Sequence, residues 1–193
     1  NRLLHGKRGF VQEHAYWGCE ASDTDVIDAA ERIGVPIATY PEGQLLDVVV
    51  EMLLEGNVVG WFQGPMEFGA RALGNRSLLA DPRRTDMRDI INLRIKFREK
   101  FRPFAPSVLE EHVDAWFTVD ESTPYMEKVL PIRPEKQHEI PAVTHADGSG
   151  RLQTVSRRTN PLYHALITRF FAKTGVPILL NTSLNENEPI VRT

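Results

Sequence analysis

Apolar side chains recur at helical spacing in several separate segments of the chain. In the first segment, Ser22 followed by Asp25 is typical of a helix N-cap, and Gly34 stands where that helix would end. Near the other end of the chain, Asn160 followed by Pro161 is the equivalent start signal. The pattern therefore predicts helices over residues 22–34, 44–55, 86–101, 110–117 and 160–173.

Short apolar runs between these helices predict β-strands over residues 57–62, 104–109, 151–155 and 176–183. The helices and strands follow no clean β–α repeat, so we expect an α/β (α+β) fold with a mixed sheet flanked by helices. No strong linker divides the core. We expect residues 1–21 to form an irregular lead-in and residues 22–193 to form one domain.

The bulk composition is that of an ordinary folded domain, because 41% of the 193 residues are hydrophobic and 25% are charged. The single cysteine, Cys19, excludes an internal disulfide and a cysteine metal cluster, and it is typical of a reducing compartment. No apolar run reaches the roughly 18 residues that span a bilayer, and no signal-peptide pattern opens the chain. We therefore expect a cytoplasmic protein that does not bind membranes.

Positive charge is concentrated in one part of this acidic chain, whose net charge is −3. Residues 71–102 hold eight arginines and two lysines against three aspartates and one glutamate, a local net charge of +6. A confined basic zone favours a specific anionic ligand over a general nucleic-acid or membrane surface.

The segment over residues 60–83 combines glycines with arginines in a way that is typical of an anion pocket. Gly69 and Gly74 would let the backbone approach a ligand, and Arg71 and Arg76 would supply planar guanidinium groups suited to phosphate. Glu67 would anchor one of these arginines by a charge-assisted hydrogen bond. Neither the G-x-x-x-x-G-K-[ST] pattern nor the G-x-G-x-x-G pattern is present. Any nucleotide would therefore be held in another way.

Two further polar clusters are candidates for chemistry. His145, Asp147 and Arg151 surround a turn before a predicted strand, although the same spacing is equally typical of an ordinary polar turn. A polar run ends the last predicted strand, where hydroxyls and backbone amides would contact a phosphate or would only form a strand-end turn. This run consists of Asn181, Thr182 and Ser183.

Four blocks of sequence, in order, resemble the carboxy-terminal domain of O-carbamoyltransferases, a family that includes nodulation-factor, cephamycin and tobramycin carbamoyltransferases. Full-length members are similar to a fusion of a Kae1-like domain with a YrdC-like domain, and this chain resembles the YrdC-like half from about residue 25 onwards. The resemblance implies a YrdC-like fold with a twisted mixed sheet. The blocks are QGPMEFGARALGNRSLLADPR, IKFREKFRPFAPSVL, PAVTHADGSGRLQTV and TGVPILLNTSLNENEPIV.

The resemblance also implies a reaction and a set of site residues. The YrdC-like half would use ATP, with Mg²⁺, and carbamoyl phosphate to form carbamoyl adenylate. The N-terminal Kae1-like domain, which would hold any further metal, would then pass the carbamoyl group to an acceptor hydroxyl. The implied catalytic residues are Arg71, Arg98 and Arg102, and the implied ligand-binding residues are Arg76, Lys96, Arg151, Asn181, Thr182 and Ser183.

Two other functions are compatible with the same residues. YrdC-like folds also occur in tRNA-modifying enzymes, so a nucleic-acid-binding or tRNA-modification module is an alternative. A non-catalytic domain that only shapes the site of a partner is another alternative. The confined positive charge and the lack of a stacking pattern of aromatics count against the nucleic-acid alternative, and the full set of arginines counts against the non-catalytic one.

Overall fold

A computed structural model describes residues 9, 11–186 and 188–191. Within these residues, five α-helices and six strands alternate irregularly, with 3-10 turns at Glu110–His112 and Pro134–Glu139. The helices are α1 (Asp23–Ile33), α2 (Glu42–Leu54), α3 (Met87–Arg94), α4 (Val113–Trp116) and α5 (Pro161–Thr174). The strands are β1 (Val59–Phe62), β2 (Arg76–Ala80), β3 (Ala105–Leu109), β4 (Lys128–Pro131), β5 (Ser149–Val155) and β6 (Ile178–Ser183).

The six strands form one mixed sheet in the order β1-β2-β6-β3-β5-β4. Only the β3–β5 pair is parallel, and the other neighbouring pairs are antiparallel. Asn181 of β6 lies near the centre, opposite Leu79 of β2 on one side and Ala105 of β3 on the other. The predicted α/β fold with a mixed sheet and flanking helices is therefore confirmed.

The main core forms where α2 and α5 pack on each other and on the sheet. Helix α5 contacts β3 and β6, and α2 contacts β1. Both helices contribute fully buried aliphatic or aromatic side chains, so most of their stability comes from this apolar face. These side chains are Leu46, Val50 and Leu53 of α2 and Leu166, Ile167 and Phe170 of α5.

Helix α1 has the predicted start and end but not a buried apolar face. Ser22 and Asp25 form a reciprocal capping box, and Gly34 ends the helix in the left-handed conformation. No residue of α1 is buried, and Ile33 is 72% exposed. The apolar stripe of this helix therefore adds little to the core of the chain.

The predicted helix over residues 86–101 is shorter in the structure, because the chain turns around Asn92 after Arg94. The buried amide of Asn92 donates to the carbonyl oxygens of Lys100 and Arg102 at 3.2 and 3.0 Å, and its oxygen accepts from Arg98. Phe97 has a left-handed φ of 46° in this turn. One buried side chain thus holds the turn that follows α3.

Strands β2 and β4 were not predicted from the sequence. Strand β2 is buried along its whole length, yet it begins with Arg76, so its sequence resembles the polar turn before it. Strand β4 is an exposed edge strand that carries little apolar periodicity. Edge and charge-bearing strands lack the alternation that sequence patterns detect.

Part of the predicted lead-in over residues 1–21 lies outside the described residues, and the rest is irregular and packed on the domain. Ala15 is buried, and Tyr16 forms a β-bridge with Glu67. The Tyr16 hydroxyl donates to the carbonyl oxygen of Leu73 at 2.9 Å. In the described part of the chain, none of the helices has the length and apolar character needed to cross a membrane.

Candidate functional site

An open cleft lies where the loop before β2 meets the turn after α3 and strands β3, β5 and β6. It encloses about 450 Å³, part of which is continuous with solvent. Two-thirds of the residues that the sequence nominated line this cleft, although they come from four separate segments. They are Arg71, Arg98, Arg151, Asn181, Thr182 and Ser183.

The three arginines of the cleft are not paired with carboxylates in the described part of the chain. Among the described residues, no carboxylate forms an ion pair with Arg71, Arg98 or Arg151. The Nε of Arg151 is buried and donates to no described acceptor. The hydrogen bond and the ring contact of the Arg98 side chain are with neutral groups: its Nε donates to Asn92 at 2.7 Å, and its guanidinium lies 5.0 Å from the ring centroid of Phe104.

The electrostatic consequence is visible in the pKa values of these groups. Burial, followed by the charges of Arg71 and Arg98, lowers the pKa of Arg151. Burial and the charge of Arg102 lower the pKa of Arg98, while Glu99 opposes that shift. Partly buried cations that repel one another need an anion from outside the chain, so the cleft is suited to phosphate or carboxylate ligands.

The loop that carries Arg71 is held by a buried carboxylate. Glu67 Oε1 accepts from the backbone N–H groups of Leu73, Asn75 and Arg76 at 2.7, 2.8 and 3.3 Å. The N–H of Gly74 donates to Ser77 Oγ at 3.0 Å. The N–H groups of residues 73–76 are therefore engaged within the protein, and the loop presents the side chain of Arg71 instead of a backbone anion nest.

The same loop is held from the sheet side by a network of buried amides. Asn181 Nδ2 donates to the carbonyl oxygen of Ala72 at 3.1 Å and to Gln153 Oε1 at 2.9 Å. Gln153 Nε2 donates to the carbonyl oxygen of Leu73 at 2.8 Å, and Ser107 Oγ donates to Gln153 Oε1 at 2.5 Å. Residues in three strands thus fix the position of Arg71, as preorganised sites require.

Sequence reasoning missed Gln153 and Ser107, and it assigned Glu67 a different partner. Gln153 stands in the predicted strand between Leu152 and Val155, and nothing in the sequence distinguishes it from a solvent-facing polar residue of that strand. Glu67 was expected to anchor an arginine side chain, and the bonds it makes to backbone N–H groups leave no trace in the sequence pattern.

Arg76 is not brought to the cleft. It is fully buried, and its Nη1 donates to the carbonyl oxygens of Gln63 and Gly64 at 2.7 and 3.0 Å. Its guanidinium lies 3.5 Å from the ring centroid of Phe62. In this geometry Arg76 joins the start of β2 to the end of β1 and the residues after it.

Lys96 lies behind the cleft and supports one of its walls. Its Nζ donates to the carbonyl oxygens of Ser183 and Asn185 at 2.5 and 2.6 Å and to Asn185 Oδ1 at 2.9 Å. Burial and the nearby Arg98 lower the pKa of Lys96 to about 8. Lys96 therefore fixes the turn that follows β6, and with it Ser183.

Arg102 and the turn around His145 lie outside the set of residues that line the cleft. Arg102 is exposed, and its Nε is 3.5 Å from Glu99 Oε2. Ser149 Oγ donates to Asp147 Oδ1 at 2.6 Å and lies 3.1 Å from His145 Nδ1. These bonds are local to the turn and fit the interpretation of residues 145–149 as an ordinary polar turn.

The described residues offer no preformed metal site. No group of three or more histidines, cysteines, aspartates and glutamates could hold a metal ion in that part of the chain. Carboxylate side chains are also absent from the described residues that line the cleft. Since Mg²⁺ prefers oxygen ligands that include carboxylates, the cleft itself is built for anions.

Comparison with known proteins gives consistent matches. Residues 50–193 match the family described as Carbamoyltransferase C-terminus. The chain is 47% identical to nodulation protein NolNO of Sinorhizobium fredii over 93% of its length. It is 51% identical over 74% of its length to nodulation protein NolO of Bradyrhizobium diazoefficiens. It is 47% identical over 70% of its length to a 3'-hydroxymethylcephem-O-carbamoyltransferase of Amycolatopsis lactamdurans.

The chain spans only about a quarter of the length of these relatives. The matched part covers 27% of each nodulation protein and 25% of the cephem carbamoyltransferase.

Proposed function

The chain belongs to the family of carbamoyltransferase C-terminal domains, and we propose that its cleft binds ATP and carbamoyl phosphate and forms carbamoyl adenylate. The family supports a transferase role. The single observation that carries the proposal is the convergence of Arg71, Arg98 and Arg151 in a cleft whose described lining contains no carboxylate. Two phosphorylated substrates would supply the missing negative charge.

The chemistry of this proposal suits guanidinium groups. Water releases carbamate and inorganic phosphate from carbamoyl phosphate. A carbamate oxygen then forms a bond to the α-phosphorus of ATP, and pyrophosphate leaves. Each step gathers negative charge on phosphate oxygens, which fixed cations stabilise without rearranging. Arg71, Arg98 and Arg151 are the residues we assign to this role.

The remaining predicted residues support the cleft in different ways. Thr182 lines it and offers its hydroxyl group to phosphate oxygens, whereas the hydroxyl group of Ser183, which also lines it, already donates to Asn185 Oδ1. Lys96 holds the turn beyond Ser183, and Arg102 adds to the positive field near Arg98. We propose that Arg76 acts only through the fold, because its guanidinium is buried against backbone carbonyl oxygens.

The described residues that line the cleft include no carboxylate that could serve as a ligand for the expected Mg²⁺. We therefore propose that Mg²⁺ arrives with the nucleotide phosphates.

Transfer of the carbamoyl group to an acceptor hydroxyl belongs to a proposed N-terminal Kae1-like domain. The relatives are about four times as long as the part they share with this chain, which leaves room for such a domain. The nucleic-acid alternative is not favoured, because the three relatives described above are named for nodulation or for carbamoyl transfer.

Calorimetric titration tests the proposal. The chain is titrated with a non-hydrolysable ATP analogue and Mg²⁺, with and without carbamoyl phosphate, and exchange of labelled pyrophosphate into ATP is measured in parallel. We expect binding that falls at least 100-fold in the Arg71→Ala, Arg151→Ala double variant. An Arg158→Ala variant, which removes an exposed arginine paired with Glu13, is the control and should bind normally.

Two results would overturn this proposal. One is that neither the ATP analogue nor carbamoyl phosphate binds to the unsubstituted chain. The other is unchanged binding in a folded double variant.

A further inference from the structure

The side chain of Asn181 has one unused hydrogen-bonding atom in the wall of the cleft. Asn181 is 1% exposed and lines the cleft from the centre of the sheet. Both hydrogens of its Nδ2 have acceptors, the carbonyl oxygen of Ala72 and Gln153 Oε1. Its Oδ1 is buried and accepts from no donor among the described residues. A desolvated acceptor without a donor is costly, so it needs a physical explanation.

The orientation of the Asn181 amide is fixed by its neighbours. Gln153 must direct Nε2 towards the carbonyl oxygen of Leu73, so its Oε1 faces Asn181 and Ser107 as an acceptor. Rotating the Asn181 amide by half a turn would place Oδ1 against two acceptors, the carbonyl oxygen of Ala72 and Gln153 Oε1. Oδ1 therefore stays on the side that lacks a protein donor.

The other polar side chains of the cleft do not duplicate this atom. The three arginines are donors only, and the hydroxyl group of Thr182 serves as a donor to phosphate as readily as an acceptor. The Oγ of Ser183 is engaged within the protein, because it donates to Asn185 Oδ1 at 2.6 Å and accepts from Lys96 Nζ at 3.4 Å. Asn181 Oδ1 is thus a fixed acceptor in a cleft dominated by donors.

We infer that Asn181 Oδ1 accepts a hydrogen bond from the NH₂ group of the carbamoyl moiety and makes the cleft selective for carbamoyl over acetyl or carboxyl phosphates. The inference rests on the proposed binding of carbamoyl phosphate and deepens it. In an acyl phosphate the carbonyl and phosphate oxygens are acceptors, which the arginines satisfy, and the NH₂ group is the only donor on carbon. A methyl group in its place would leave Oδ1 unpaired, and a carboxylate oxygen would be repelled by it.

Comparing the affinities of two stable ligands measures the contribution of this hydrogen bond alone. Phosphonoacetamide and acetonylphosphonate have the same shape and phosphonate group, but the first carries NH₂ where the second carries CH₃. We expect the unsubstituted chain to bind phosphonoacetamide at least about tenfold more tightly, the usual scale for a buried acceptor left unpaired. We expect Asn181→Ala to bring the affinity ratio close to one.

Two further variants separate recognition from structure. Asn181→Asp retains an acceptor oxygen, so it should keep the preference although both affinities fall. Thr182→Val removes a neighbouring hydroxyl from the same strand, and any loss it causes should be equal for both ligands. A merely structural role of Asn181 would likewise weaken both ligands together and leave the ratio unchanged in Asn181→Ala.

The ratio on the unsubstituted chain is decisive even if Asn181→Ala does not fold. Equal affinity for the two phosphonates would overturn the inference while leaving the proposed function intact. A preference that survives in Asn181→Ala would also overturn it. If phosphonoacetamide and carbamoyl phosphate both fail to bind, the proposed function fails, and the inference fails with it.

Discussion

Gly74 lies directly against the ring of Tyr163. A Cβ atom on Gly74 would be 2.2 Å from Cδ1 of Tyr163, and the backbone at Gly74 has a φ of +106°. Tyr163 is fully buried in the first turn of α5, just after the N-cap residue Asn160. Asn160 Nδ2 also donates to Asn75 Oδ1 at 2.9 Å. The loop that presents Arg71 is therefore seated on the start of α5.

Replacing Gly74 with alanine should destabilise the protein strongly. The new methyl group would clash with a fully buried ring, and the residue would have to adopt a left-handed conformation. We expect Gly74→Ala to lower the free energy of unfolding by about 3 kcal/mol or more, measured by urea denaturation. Gly69→Ala is the matched control, since Gly69 has a φ of +132° but nothing within 4 Å of the added atom. Equal losses in the two variants would contradict the role of Tyr163.

Replacing Arg76 with methionine should affect stability more directly than ligand binding. The change leaves the buried carbonyl oxygens of Gln63 and Gly64 without these donors. We expect the free energy of unfolding to fall by about 3 kcal/mol, the scale of losing several buried charge-assisted hydrogen bonds. At a temperature where the variant remains folded, the affinity for pyrophosphate should change by less than threefold. A selective loss of affinity with normal stability would instead place Arg76 in the binding site.

Replacing Arg151 with methionine should have the opposite effect. Arg151 is partly buried, its Nε lacks an acceptor among the described residues, and its charge is repelled by Arg71 and Arg98. We expect Arg151→Met to leave the free energy of unfolding unchanged or to raise it by about 1 kcal/mol. The affinity for pyrophosphate should fall at least tenfold in calorimetric titration. A large loss of stability would show that Arg151 has a structural partner.

The sequence predicted that Arg71, Arg98 and Arg151 belong to one site, but it could not separate them from Arg76, which is buried elsewhere. The charge pattern and the family resemblance nominated Arg71, Arg98 and Arg151 together with the polar end of β6, and the structure places them in one cleft. The same criteria also nominated Arg76. The sequence of an arginine does not reveal whether its donors face backbone carbonyl oxygens or an open cleft, because that depends on contacts between distant segments.

The supports of the cleft were harder to predict for a related reason. Glu67, Asn92 and Gln153 each bind backbone groups of the loops around the cleft, and backbone partners leave no periodic signal in a sequence. Strand β2 was missed because it begins with a buried arginine, and strand patterns assume that charged residues face solvent. Local signals such as the caps at Ser22 and Asn160 were correct because they depend only on neighbouring residues.

Lys96 gives the stability of the protein a predictable dependence on pH. Its pKa is about 8 in the folded chain, against an ordinary value of 10.5, because it is buried and lies near Arg98. Between pH 8 and pH 10.5 the unfolded chain therefore binds more protons at this residue than the folded chain. The contribution of Lys96 to the free energy of unfolding rises with pH across this window and is constant below it, with a slope of up to about 1.4 kcal/mol per pH unit.

Urea denaturation between pH 7 and pH 10 checks this dependence. Lys96→Met should be less stable at every pH, because it leaves the carbonyl oxygens of Ser183 and Asn185 without a donor. Its stability should also lack the rise that Lys96 adds above pH 8, so the gap between the two proteins should widen as the pH increases. Lys173→Met, which removes an exposed lysine paired with Glu51, should follow the unsubstituted protein with a constant offset. A constant gap for Lys96→Met as well would mean that the oxygens around Nζ hold its proton as firmly as water does, and that burial does not destabilise this cation.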